Sequence, residues 1–321
     1  MKSWWRLVVA VVVLIVVVAV LDWPHQAKPA AAAAKPLVSL TASDVQRIAI
    51  QQPGQPEVVL TKTGNDWKLD QPYSFAADTT AVSSLINTLD DITGASKVAD
   101  ATPQIKLASF GLDPAAKTAQ PSTVAFGLAS GKTITFVFGS DTPTGGNTYF
   151  RVGDTGAIEM ASSYVKTDSL KSAFDLQDKQ VLHFPSGQIT ALTIKTKSKS
   201  LQFAKNSGQS KNAWPKAQSS NISSLIDSLD DAQMNALPAP SAAAADKLAA
   251  KDGLLHPAYA VTLLWQGGKE TLDIGAKTGA AQYYARNSET PAVFTLSDYL
   301  ITDITNLTSP AQAPAVVHST K

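Results

Sequence analysis

Residues 83–91 read Ser-Ser-Leu-Ile-Asn-Thr-Leu-Asp-Asp, and residues 223–231 read Ser-Ser-Leu-Ile-Asp-Ser-Leu-Asp-Asp. Seven of the nine positions are identical; Asn87 is exchanged for Asp227 and Thr88 for Ser228. An internal repeat constrains a fold more than any single motif does, because each copy must be able to form the same supersecondary unit. In both copies the apolar residues fall at helical spacing: Val82, Leu85, Ile86 and Leu89, then Ile222, Leu225, Ile226 and Leu229. This stripe predicts an amphipathic helix over Asp78 to Thr93, with Asp78 as N-cap, and another over Ser220 to Met234.

The surroundings of the two helices agree in order. Val45 to Ile50 and Glu57 to Thr61 alternate in polarity about the turn residues Pro53-Gly54, and Trp67 to Leu69 follows as a third strand. After the helix come a short helix over Pro103 to Phe110, stopped by Gly111, and four strands over 123–128, 133–138, 148–152 and 157–160. A closing helix spans Ser162 to Leu170. The second half offers a hairpin over 189–194 and 201–204, Trp214 in the place of Trp67, Gly253-Leu254 in the place of Gly111-Leu112, and a hairpin over 260–265 and 270–274. Tyr149-Phe150-Arg151 matches Tyr284-Ala285-Arg286, and Tyr164 matches Tyr299 at the same offset. The predicted fold class is α+β: a tandem duplication of a unit in which antiparallel hairpins are packed by one main helix and short helices. Unit one is predicted over 39–173 and unit two over 174–308, with a disordered tail over 309–321.

The N-terminus has a different character. Lys2 and Arg6 precede an unbroken apolar run from Leu7 to Leu21, flanked by Trp4, Trp5 and Trp23. A bilayer span needs about 20 mostly apolar residues. Residues 4–23 supply them, with tryptophans at interfacial depth. A cleaved signal peptide is the rival, but Asp22, Trp23, Pro24 and His25 follow the run where a small-residue cleavage site would stand. The expectation is a single-pass anchor in the cell inner (cytoplasmic) membrane, an Ala/Pro/Lys-rich tether over 24–38, and the bulk of the chain in the periplasm or outside.

Lys plus Arg total 27 against 26 Asp plus Glu, which gives no field to favour nucleic acid. The chain has no cysteine, so disulfides and thiolate metal sites are excluded. Of four histidines, His25 and His318 fall in tether and tail. His183 and His256 read as isolated packing or turn residues.

The succession of first hairpin, Trp, Ser-Ser-Leu-Ile helix, Gly-Leu-x-Pro, Gly-Lys hairpin and Tyr-x-Arg resembles the bacterial family known as domain of unknown function 4340, once per half over most of residues 40–305. One departure is that unit two lacks a proline five residues after its tryptophan; Pro215 follows Trp214 directly. The resemblance implies a membrane-anchored extracytoplasmic protein, with some members encoded beside ABC transporters. It implies no catalytic residues, and no cofactor is expected.

Three constellations compete with purely structural readings. Ser163-x-x-Lys166, Ser219-Ser220-Asn221 and Lys277-Thr278-Gly279 follow the order of Ser-Lys hydrolases. Their contexts, a closing helix, an N-cap position and a turn after a hairpin, argue against an enzyme. Asp90-Asp91 and Asp230-Asp231 read as solvated helix ends, with a cation site as the alternative. Trp67, Trp214, Tyr149, Arg151, Tyr284 and Arg286 are the candidate interaction surface, because Trp, Tyr and Arg dominate binding hot spots. The leading expectation is a non-enzymatic interaction module, accessory to an ABC-type envelope transport complex. A ligand- or polysaccharide-binding protein using the inter-unit cleft is the alternative, and a deep apolar cleft would favour it.

Overall fold

The computed structural model describes residues 37–308 except 91, 93, 94, 101, 103, 104, 206–212 and 280. The predicted anchor, nearly all of the tether, the tail and Asp91 lie outside the described residues. Among the described residues no helix is long and apolar enough to cross a membrane.

Two antiparallel sheets carry the chain. The first has nine strands: β1 (Val45–Gln51), β2 (Val58–Thr63), β3 (Asp66–Gln71), β4 (Phe75–Ala76), β5 (Ser96–Ala99), β6 (Ser122–Leu128), β7 (Thr133–Asp141), β8 (Asn147–Val152) and β9 (Ile158–Ser162). Their order across the sheet is β4-β3-β2-β1-β6-β7-β8-β9-β5. The second has seven: β10 (Ile189–Thr196), β11 (Ser200–Ala204), β12 (Ala236–Ala239), β13 (Tyr259–Trp265), β14 (Gly268–Thr278), β15 (Gln282–Asn287) and β16 (Val293–Ser297), in the order β11-β10-β13-β14-β15-β16-β12. The fold is mainly antiparallel sheet with a few helices, of α+β type. Seven adjacent strands of the first sheet, β2-β1-β6-β7-β8-β9-β5, follow the same connectivity as the whole second sheet.

The register makes residue-level equivalences possible. Ile48 pairs with Phe126, and Phe126 with Ile134. Leu192 pairs with Leu263, and Leu263 with Glu270. Counting along the strands from there, Phe136 and Phe138 correspond to Leu272 and Ile274, and Val152 to Asn287.

The main helices span Thr79–Asp90 and Ser219–Asp230, shorter at their C-termini than the apolar stripe predicts. Each carries the chain across one face of its sheet from one edge to the other, where β5 and β12 are laid down. Asp78 caps the first helix, its Oδ1 accepting the N–H groups of Thr80 (2.8 Å) and Ala81 (3.0 Å). The second helix has Gln218 as its N-cap residue, in place of the expected serine, and Ser219 already lies inside the first turn. Both helices bury the expected stripe, which joins the sheet's inner face in one core per half. A smaller cluster sits elsewhere in each half: Leu112, Val137 and Ile158 in the first, Ala239, Leu254 and Val293 in the second.

The end of the first helix differs from the solvated carboxylate expected there. Asp90 is half-buried, and its Oδ1 accepts the N–H of Leu40 at 2.5 Å, fastening the segment ahead of β1. A bond to a charged acceptor contributes about 1.5–3 kcal/mol. Asp90→Ala is therefore expected to cost about 1–2 kcal/mol in a chemical denaturation curve, whereas Asp230→Asn is expected to stay within about 0.5 kcal/mol.

Candidate functional site in the cleft between the two halves

The segment from Gln177 to Phe184 joins the halves and bonds to both. Asp178 N–H donates to the carbonyl of Ala76 (2.8 Å), and Val181 N–H to that of Ala232 (3.0 Å). Beside this segment lies a cavity of about 540 Å³, within the usual size range of small-molecule sites. Pro72, Tyr73 and Phe75 line it from the first half, Met234, Pro291 and Ala292 from the second. Phe75 packs against both cores. Pro72 is the proline five residues after Trp67, which unit two lacks.

A cluster of polar side chains borders the cavity. His183 and Asp178 project from the joining segment, and Asn287 and Glu289 from the end of β15 and the loop after it. His183 Nε2 lies 2.8 Å from Asp178 Oδ2 and its Nδ1 lies 3.9 Å from Glu289 Oε2. Behind them Glu270, on β14, is wholly buried. Its Oε2 accepts the backbone N–H of His183 at 2.9 Å, while Oε1 is buried with no hydrogen-bond partner among the described residues. Asn287 donates to the carbonyl of Val181 (2.9 Å) and accepts from the N–H of Thr290 (2.9 Å), holding the rim in place.

These neighbours shift one another. Burial, then the nearby charge of Glu289, pushes the Glu270 carboxyl up to about 6. The hydrogen bond to Asp178 holds the His183 imidazolium above the ordinary histidine range, against its partial burial. Burial pushes Asp178 upward, but the hydrogen bonds from His183 and the N–H of Gln180 outweigh it and leave the carboxyl low. Tyr73, half-buried and facing Asp175, is pushed up to about 12; its hydroxyl donates to Gln177 Oε1 at 2.7 Å.

A stability slope follows for the metal-free protein. A folded chain that holds the Glu270 proton more tightly than the unfolded chain is most stable below the ordinary Glu value near 4.5, and loses that contribution as pH rises through about 6. Glu270→Gln keeps an acceptor for His183 N–H and removes the buried charge. Thermal melts of chelator-treated protein from pH 4 to 7 are expected to show the variant gaining on the parent as pH rises across that window.

The six residues expected as an interaction surface do not line this cavity. Trp67 is buried in the first core, with Lys62 Nζ 5.8 Å from its ring centroid; Trp214 is half-buried against the second, with Lys205 Nζ at 5.2 Å. Tyr149 packs edge-on against Phe110 with centroids 5.1 Å apart, and Tyr284 packs on the cluster around Leu254. Arg151 is buried and donates to the carbonyl of Asp154, and Arg286 reaches Asp273 at 3.4 Å.

The Ser-Lys constellation finds other partners. Lys166 Nζ donates to the carbonyl of Gly139 (2.7 Å) and pairs with Asp141 (3.3 Å). Lys277 and Thr278 belong to β14, which runs further than the turn expected there, and Lys277 Nζ lies 5.7 Å from the Tyr283 ring centroid.

The polar cluster in the cleft is what the sequence reading missed. His183 is not isolated: it is the centre of the cluster. A signal for Glu270 was present, since it shares the inward face of its strand with Leu272 and Ile274 and stands where the first half has Ile134. Asn287 likewise stands where the first half has Val152.

Two antiparallel α+β halves with a cleft at their junction are the class of protein that this fold defines. The chain belongs to the DUF4340 family, whose model, described as Domain of unknown function (DUF4340), matches residues 67–251 and again residues 209–310. No curated protein and no solved structure matches the chain.

Proposed function

We propose that this protein is a membrane-tethered extracytoplasmic binding module, built by tandem duplication, that holds a small, largely apolar ligand in the cleft between its halves. The cleft carries this reading: apolar and aromatic side chains line it beside a cluster of polar groups around His183, which suits a molecule with an apolar body and a polar head. The shared strand connectivity and the two overlapping family matches support the duplication. The apolar run at residues 4–23 supports the tether. Docking on an envelope transport complex is the partner that the family resemblance suggests, and ligand contact in the cleft is separate from the interaction surface of Trp, Tyr and Arg residues.

Mass spectrometry of small molecules released from the purified, detergent-solubilised full chain tests the proposal. Ala76 is exposed at the cavity wall, so Ala76→Trp fills the cavity without entering a core. A compound released from the parent and absent from Ala76→Trp is the expected result. Identical profiles, with no stoichiometric compound in either, would remove the ligand-binding reading.

A further inference from the structure

We propose that His183, Glu270 and Glu289 form a binding site for one divalent transition-metal ion of the zinc class, open toward the cleft. One donor atom from each residue lies within 4.8 Å of the others. Three protein donors leave a coordination position free, as in zinc sites that take a water or a ligand group. The mixed set of one imidazole and two carboxylates selects zinc-like ions over calcium or magnesium, which take oxygen donors alone.

Three further observations point to an ion. Glu270 occupies a core position that its counterpart fills with Ile134, and a lone buried carboxylate is costly unless it is paired or coordinates a metal. Its Oε1 has no hydrogen-bond partner among the described residues, although the residue is completely buried. His183 holds Asp178 through Nε2, leaving Nδ1 toward Glu289. A carboxylate on the far ring nitrogen is the usual support of a metal-bound histidine, fixing its tautomer and ring plane. Donors about 2.0–2.2 Å from a tetrahedral ion stand about 3.4 Å apart, so the cluster must tighten slightly. Glu289 is half exposed on a loop and is free to make that movement.

The inference adds an ion to the cleft proposed above, but it rests on the cluster and not on what fills the apolar walls. The test is equilibrium dialysis of the chelator-treated, detergent-solubilised full chain against zinc, with cobalt absorbance as a second reading. One zinc per chain is expected, with cobalt giving the visible bands of a low-symmetry site. His183→Ala and Glu289→Gln are each expected to weaken zinc binding at least about 100-fold, and Asp178→Asn about 10-fold. Glu289 is exposed, so its variant tests the site even if changes at buried Glu270 impair folding. No saturable zinc binding, or binding that survives both His183→Ala and Glu289→Gln, would overturn the inference. Equal binding of calcium would overturn the assignment of ion class. A released organic compound without zinc binding would leave the cleft reading standing while this one falls.

Discussion

Gly139→Ala and Gly275→Ala are each expected to destabilise the protein by about 3 kcal/mol, among the largest losses available from adding one methyl group. The two glycines are equivalent positions on β7 and β14, one residue beyond Phe138 and Ile274. At each, another stretch of chain crosses directly over the strand. A Cβ on Gly139 would collide with the carbonyl oxygen of Phe110, and one on Gly275 with the carbonyl oxygen of Asp252. Backbone oxygens cannot swing aside as a side-chain tip can. The crossing chain is itself held, since Asp252 accepts the N–H of Ala276 at 2.7 Å. It also turns through Gly111 and Gly253, both in the left-handed region at φ +66° and +68°. The alanine therefore lifts the Gly-Leu segment and pulls its own buried leucine, Leu112 or Leu254, out of its packing. Denaturant titration followed by tryptophan fluorescence measures the loss; a change below about 1 kcal/mol at both sites would show that the crossing segments are loosely seated.

Leu89→Ala and Leu229→Ala are expected to cost about 2–5 kcal/mol each, through lost transfer energy and the cavity left behind. Leu89 is 1% and Leu229 0% exposed, and each lies among the sheet residues of its own core. A domain's whole net stability is about 5–15 kcal/mol, so either change consumes a large share of it. The outward positions of the same helix give the control. Asn87 and Asp227 are exposed, and alanine at either is expected to stay within about 0.5 kcal/mol. Melting both pairs in parallel separates loss of core from loss of helix propensity.

Much of this architecture was legible because it rests on periodicity. The helical stripe, the alternating hairpins and the Gly-Leu segments follow local rules that the nine-residue repeat and its flanks display. The short edge strands β4, β5 and β12 were not legible, since two to four residues are too few to show alternation, and tertiary pairing alone defines them. The run of β14 through Lys277 and Thr278 was missed because the strand continues past a break in register between Ile274 and Lys277. Asp90 read as a solvated helix end because its partner, the N–H of Leu40, is fifty residues away. The cleft is the clearest case. Its donors come from the joining segment, from β14 and from the loop after β15, so no spacing rule unites them. Only Glu270, a charge on an apolar strand face, marked the place.

The joining segment has a thermodynamic consequence. It is hydrogen-bonded to Ala76 on one side and to Ala232 on the other, and it also supplies Asp178 and His183 to the cleft. Two residues of the segment that fastens the halves together thus also border the cleft, so an occupant that presses on them bears on the angle between the halves as well. Linkage then works in both directions. An occupant that favours one angle shifts the population toward it, and a partner that grips both halves at that angle tightens the occupant by the same factor. On the binding role proposed above, the contents of the cleft would then be read out as a change in affinity for a neighbour.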